Sequence, residues 1–401
     1  METLTKELSK VIVLGPIRSG KTLIGRAMNS HPLVSVQQEP FFFFFKLCRD
    51  IYHRDVLKDN YDCNHPIESD FCLKPEQKKG FNDYFERLEF GREDIVELRK
   101  RTIWQQESTG SERAPHINPF LDSLKPGKAT DVLDQLFDVF LKGYPKEGLE
   151  YIGFTEAWVD NFIEPILSLK GKKYKIIHCI RDPRQIIASR NFGENPEKYD
   201  GRYPILFLIR HWRKSVAYSI VNRDNPDYMV VKYEQLINSP EEWFHKICEH
   251  LGVIFHKNLV RPERYRDGIG NLWKQNTNFN AGTGFSKTSL EKWKEVLPDK
   301  SVGLVEYLCG AEMDCFGYKR VNSDFNLKGL ASYTEDEEHL IEWLKKYNLL
   351  INEEDISLEL VRKYLLEADK LANDEILDYF FIGKSVHDIL RERTSVKFRE
   401  N

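Results

Sequence analysis

A short apolar run, Val11-Ile12-Val13-Leu14, leads directly into Gly15-Pro16-Ile17-Arg18-Ser19-Gly20-Lys21-Thr22, and a helical pattern follows from Lys21 to Asn29. A β-branched run with no polar face predicts a strand buried on both sides, the condition of a strand inside a parallel sheet. The loop after it has the spacing G-x-x-x-x-G-K-[ST] in the strand-to-helix context that gives this spacing its meaning. Free N–H groups at the start of the helix, the positive end of its dipole and the side chains of Arg18 and Lys21 then converge on one anion. A phosphate site at the carboxyl edge of a parallel sheet is the expectation.

Further buried runs at Tyr151 to Phe154, Tyr174 to Ile180 and Tyr228 to Val231 alternate with amphipathic stretches at Glu156 to Leu169, Pro183 to Phe192 and Leu206 to Asn222. Such alternation predicts an α/β fold, a central parallel sheet flanked by helices. Residues 50–130 break the pattern with Pro66, Pro75, Pro115, Pro119 and Pro126 around one expected helix, Asp83 to Arg101, and read as an insertion over the ligand edge. Helical periodicity returns at Asp336 to Tyr347 and Ser357 to Ala372, after a polar stretch at Val321 to Asn326. The division expected is an α/β domain over 1–321 and a small C-terminal helical extension over 322–401. Phe41 to Phe45 either line an apolar cleft or pack the insertion against the sheet.

Composition excludes several classes. With 41% hydrophobic and 30% charged residues, and no apolar stretch of spanning length, the 401-residue chain reads as soluble, without membrane association. The first ten residues lack the features of a secretory signal, and seven scattered cysteines form no CxxC pair, so a cytoplasmic setting without a structural zinc is expected. A net charge of −4 gives no general attraction to nucleic acid.

Alone, the loop suits the β and γ phosphates of ATP with Mg²⁺, as in a P-loop kinase, with Asp182 the close candidate for organising the metal near Thr22. The segment Lys175-Ile176-Ile177-His178-Cys179-Ile180-Arg181-Asp182-Pro183, with Ser189 eight residues after Arg181, points elsewhere. Together the loop and this segment resemble the sulfotransferases that use 3′-phosphoadenosine 5′-phosphosulfate (PAPS). That family pairs a P-[KR]-S-G-[TS]-T-like loop for the 5′-phosphosulfate with a strand ending in Arg-x-Pro and a later Ser for the 3′-phosphate. The resemblance implies that Arg18, Ser19, Gly20, Lys21 and Thr22 hold the first group and Arg181 and Ser189 the second, without metal. It extends to His31-Pro32, a structural turn, and to Tyr233 in Val230-Val231-Lys232-Tyr233-Glu234-Gln235-Leu236, which by analogy contacts adenine. It extends more loosely to Gly282, Gly284 and Lys287, in a late loop over the nucleotide. Lys21 stands where most members have Thr or Ser, which completes the kinase-like spacing.

Sulfuryl transfer to a hydroxyl or amine needs charge stabilisation, from Arg18 and Lys21, and a base within hydrogen-bond reach. Glu156, following the run Tyr151-Ile152-Gly153-Phe154-Thr155, is the leading candidate by likeness to the family's Gly-Phe-Lys-Glu element, with Thr155 in place of the lysine. His178 and Glu39 are the alternatives. A small-molecule or carbohydrate acceptor fits the aromatic residues of the insertion, and the spent donor would leave as 3′-phosphoadenosine 5′-phosphate (PAP). A nucleotide-binding interaction protein is the non-enzymatic reading.

Overall fold

The computed structural model describes residues 8–58, 75–109, 113–193, 201–274, 284–322, 324–334, 339–342, 352–368 and 373–393. The chain opens with β1 (Ser9–Leu14), α1 (Lys21–Asn29), β2 (Val34–Gln38) and α2 (Phe42–Tyr52). It continues through α3 (Pro75–Phe85), β3 (Glu89–Phe90), α4 (Arg92–Thr109), β4 (Gly127–Lys128), α5 (Ala129–Gly143), β5 (Tyr151–Glu156) and α6 (Ile163–Leu167). Next come β6 (Tyr174–Ile180), α7 (Pro183–Asn191), α8 (Ile205–Val221), β7 (Tyr228–Lys232), α9 (Tyr233–Asn238) and α10 (Pro240–Leu251). After α10 the described helices are α11 (Trp293–Val296), α12 (Asp299–Cys315), α13 (Leu327–Ala331), α14 (Glu353–Glu367), α15 (Asp374–Phe381) and α16 (Lys384–Glu392).

The sheet has the order β2-β5-β1-β6-β7, with every neighbouring pair parallel. Successive side chains of a strand point to opposite faces, so its apolar residues divide between two cores. In β1, Ile12 and Leu14 join one cluster and Val11 and Val13 the other. In β6, Ile176 and Ile180 go with the first, Ile177 and Cys179 with the second. Helix α1 packs on the second face and α8 on the first, which is why both runs carry no polar side. The chain leaves β1 toward β2 and later returns to β6 on its other flank, so the carboxyl edge of β1 is the point where an open α/β sheet binds ligands.

Several elements depart from expectation. Strand β2 was not foreseen, because Val34-Ser35-Val36-Gln37-Gln38 is short, ends in two amides and forms the sheet's edge. The helix expected over Glu156 to Leu169 shrinks to α6, since β5 runs on to Glu156 and Trp158 takes a left-handed backbone at φ 67°. The helix expected over Asp83 to Arg101 is two helices, α3 and α4, parted by β3, which pairs with β4. Asp336 to Tyr347 lies mostly outside the described residues, while Ser357 to Ala372 corresponds to α14, with 369–372 outside them. Helices α15 and α16 were not anticipated, and Leu377, Phe381, Val386 and Leu390 share one core cluster with α8 and α12.

The phenylalanine run is core. Phe41, Phe43, Phe44 and Phe45 are buried and Phe42 is half-buried. Phe41 stands edge-on to Phe154 of β5 at 5.1 Å, and Phe44 stacks on Phe90 at 5.5 Å, so the run clamps the insertion onto the sheet. Truncating Phe44 to Ala would cost about 3–5 kcal/mol, as for other buried aromatics. No helix among the described residues is long and apolar enough to cross a membrane.

Candidate active site

The loop after β1 is held open by two glycines that cannot carry a side chain. At Gly15 (φ 147°) a Cβ would lie 2.3 Å from the Cys179 carbonyl of neighbouring β6, and at Gly20 (φ 106°) it would lie 2.2 Å from the ring of Tyr233. Between them Arg18 takes a left-handed backbone at φ 60°, strain of the kind that collects at ligand sites. Gly20 caps α1 with no side-chain hydrogen bond, which leaves the dipole end facing the loop's concavity.

The loop is tied to the end of β6. The Arg181 guanidinium donates through Nη1 to the Arg18 carbonyl at 2.9 Å and lies 4.1 Å over the Tyr233 ring. Arg18 Nε in turn donates to Ser189 Oγ at 3.1 Å, joining the loop to α7. Trp212 of α8 fixes the strand end from below, its Nε1 donating to the Arg181 carbonyl at 2.8 Å. Arg18, Gly20, Arg181, Ser189 and Tyr233, which the sequence scatters over some 215 positions, therefore form one patch. Two polar atoms in it, Ser19 Oγ and Arg181 Nε, are buried without a hydrogen-bond partner among the described residues. A cradle of that composition fits an anionic nucleotide, whose oxygens would satisfy both donors.

The late loop joins the patch in part. Gly282 lies outside the described residues. Gly284 packs against Pro262 at φ 83°, and Lys287 is exposed. The group that reaches Arg181 is the Ser289 carbonyl, which accepts from Nη2 at 3.4 Å. Backbone acceptors of this kind leave no trace in residue type.

A second cluster lies beside the first, at the ends of β2 and β5. Lys21 Nζ pairs with Glu39 Oε1 at 3.1 Å, and Arg113 Nη1 reaches Glu39 Oε2 at 3.0 Å. Gln38 Nε2 donates to Thr22 Oγ1 at 2.8 Å. Parallel register sets Glu156 opposite Leu14, the last residue before the loop, and the Phe41 N–H donates to Glu156 Oε1 at 2.9 Å. Glu39 itself sits in left-handed backbone at φ 41°. The two carboxyls titrate in opposite directions. Burial and the neighbouring Glu39 charge push Glu156 well above the usual carboxylate range. Burial also acts to raise Glu39, but Lys21 and Arg113 outweigh it and bring that group down to about 2. Arg113 gave no signal in the sequence, because it lies in the insertion, 74 positions from its partner.

His178 and Asp182 have other occupations. His178 is fully buried, with Nδ1 against Tyr228 Oη and Ser219 Oγ and Nε2 3.4 Å from Asp160. It points to the α8 face of the sheet, away from α1. Asp182 caps α7, accepting the Arg184 N–H at 2.9 Å, and is gripped by the Arg184 guanidinium at 3.0 and 2.6 Å. The carboxylate on which the kinase reading depends is therefore spent on structure. Glu234, next to Tyr233, likewise holds the turn by accepting from the Asp182 N–H at 2.9 Å.

A parallel sheet with a phosphate-type loop at the edge of β1, bridged to an arginine at the end of β6, is the arrangement of an α/β protein that binds a phosphate-bearing ligand. Residues 173–257, from just before β6 through α10, match the Sulfotransferase family model. The chain is 22% identical to mouse carbohydrate sulfotransferase 1 over 365 residues, 80% of this chain and 82% of that one. It is 26% identical to the zebrafish (Danio rerio) carbohydrate sulfotransferase 1 over 364 residues, covering 81% and 82%. The solved sulfotransferase domain from the curacin biosynthetic pathway aligns over 76% of this chain and 98% of its own, at 13% identity and a TM-score of 0.40. The family model and the carbohydrate sulfotransferases that the chain resembles over most of its length together indicate a transferase enzyme of the sulfotransferase type.

Proposed function

We propose that the enzyme takes the sulfuryl group of PAPS, and that the acceptor is a hydroxyl of a carbohydrate or a small molecule. The observation that carries the donor assignment is the Arg18 bridge, which brings loop, Arg181 and Ser189 within reach of one ligand. A nucleotide with phosphates at both its 3′ and 5′ positions meets Arg181 and Ser189 at one end and Arg18, Ser19 and Lys21 at the other, with its base beside Tyr233. The acceptor class rests on the two carbohydrate sulfotransferases that the chain resembles over most of its length.

In the transfer, the acceptor oxygen forms its bond to sulfur as the bond from sulfur to the 5′-phosphate oxygen breaks, and the leaving phosphate keeps the electron pair. Lys21 and Arg18 neutralise the charge that grows there. The acceptor proton goes to a carboxylate. Burial and the Glu39 charge raise the Glu156 carboxyl, which favours its protonated form and disfavours it as that group, so Glu39, held low by Lys21 and Arg113 on the same edge, is the better candidate. Glu39 is a poor base while Lys21 holds it. Donor phosphates that draw Lys21 toward themselves raise the basicity of Glu39, tying proton removal to the presence of the donor.

Calorimetric titration tests the donor assignment. PAP is expected to bind tightly in the presence of a metal chelator, and ATP with Mg²⁺ to bind far more weakly. Tighter, magnesium-dependent binding of ATP would replace this reading with the kinase.

A further inference from the structure

Helix α8 turns His211, Lys214 and Ser215 toward the sheet, at the i, i+3, i+4 spacing that lines up one helical face. Their exposures are 3%, 1% and 0%. Ser215 has a partner, its Oγ donating to Asp160 Oδ1 at 2.5 Å. The other two do not: both ring nitrogens of His211 and the Nζ of Lys214 lack hydrogen-bond partners among the described residues. A buried donor left unpaired costs about 1–3 kcal/mol, and a charged one more. Two such side chains on adjacent turns offer buried donors that a ligand at this edge of the sheet could satisfy.

Their place in the fold says what they face. Trp212, between them, bonds the carbonyl of Arg181, so this turn of α8 is level with the carboxyl edge of the sheet. The His211 ring lies 3.8 Å from that of Trp158, two residues beyond Glu156 and in the left-handed backbone noted above. Burial, helped by the charges of Lys214 and Lys21 and opposed by that of Asp160, lowers His211 well below its ordinary value and favours its neutral form. Tyr203 and Phe207, half-buried, extend the aromatic rim from Trp158 at 6.0 and 5.8 Å. Among the described residues Asp160 is the carboxylate felt by His211, and Ser215 and His178 already engage it.

We propose that His211 and Lys214 form an acceptor subsite that receives a carboxylate borne by the acceptor, close to the hydroxyl that takes the sulfuryl group. A neutral oxygen could accept from either side chain, but a carboxylate has oxygens for both and makes the stronger, charge-assisted bond to Lys214. The rim of Trp158, Tyr203 and Phe207 suits the apolar face of a sugar ring, which makes a uronic acid residue the matching chemistry. This inference rests on the sulfuryl-transfer reading above.

The test uses the full chain saturated with PAP, titrated by calorimetry with methyl β-D-glucuronide and separately with methyl β-D-glucoside. The His211 ring carbon resonance serves as a local probe. The glucuronide is expected to bind about ten-fold or more tightly than the glucoside and to shift that resonance. In Lys214→Met the preference should disappear while PAP affinity stays as in the wild type. No glucuronide binding, equal affinities in the wild type, or a preference that survives Lys214→Met would overturn the subsite. Should Lys214→Met fail to fold, the wild-type resonance decides, and a glucuronide that binds without moving it overturns the subsite equally. Failure of PAP itself to bind would instead remove the donor reading.

Discussion

The two sides of the active-site edge are built on different plans. The nucleotide side draws on two continuous segments, the loop after β1 and the β6–α7 junction, and its donors are already tied together through Arg18, Arg181 and Ser189. The acceptor side draws single residues from remote places: Glu39 after β2, Arg113 from the insertion, Glu156 from β5 and His211 from α8. The first plan fixes one ligand whose shape does not vary. The second lets each contact change independently, which is what a specificity surface requires.

The difference can be tested most severely at the carboxyl pair. Glu39→Gln is expected to lower transfer by about 10²–10⁴-fold, the usual worth of a general base, with PAPS affinity nearly unchanged. Glu156→Gln, an amide of like shape at a carboxyl that burial and Glu39 push toward its neutral form, should cost roughly ten-fold or less. Single-turnover rates with both variants decide, and the reverse ranking would return the base to Glu156.

On the nucleotide side a smaller and more selective loss is expected. Arg181→Ala should weaken PAP binding by about 1.5–3 kcal/mol, the range of a charged hydrogen bond, while leaving adenosine 5′-phosphosulfate, which lacks the 3′-phosphate, nearly as before. Equal losses for both ligands in calorimetry would show that Arg181 does not read the 3′-phosphate.

The remaining effect is one of stability, and it separates the two sides by pH. On α10, behind the nucleotide side, burial and Lys175 lower His250 to about 4. The folded form then binds fewer protons than the unfolded one. The stability involved is complete above pH ~6.5 and is lost as pH falls toward 4, by up to about 3 kcal/mol. Glu39, lowered to about 2, acts later, between its ordinary range and that value. Thermal unfolding from pH 7 to 5 should therefore show a slope that is flatter in His250→Leu and nearly unaltered in Glu39→Gln.

What the sequence disclosed follows the same division. The run Val11 to Leu14 and the segment Lys175 to Pro183 announce themselves because a doubly buried strand and a phosphate loop are local events, written in consecutive residues. Arg181, Ser189 and Tyr233 came within reach as parts of such segments. Arg113 and Ser289 could not, since one acts across 74 positions and the other through its backbone. Strand β2 escaped because its end is polar, yet that polarity is functional: Gln38 holds Thr22. His211 and Lys214 read as the polar side of an amphipathic helix, and only the packing of α8 shows that they face inward.

Helix α8 also works as a ruler. Trp212 grips the strand that carries Arg181, and the preceding residue borders the acceptor subsite, so the span between donor and acceptor is set by consecutive positions of one rigid rod. One residue inserted between Ile205 and His211 would turn both side chains by about 100° and advance them about 1.5 Å. The two registrations would fail together. A chain of this design can diversify its acceptor by exchanging side chains on α8, but it cannot alter the length of the helix before Trp212 without losing its hold on the nucleotide.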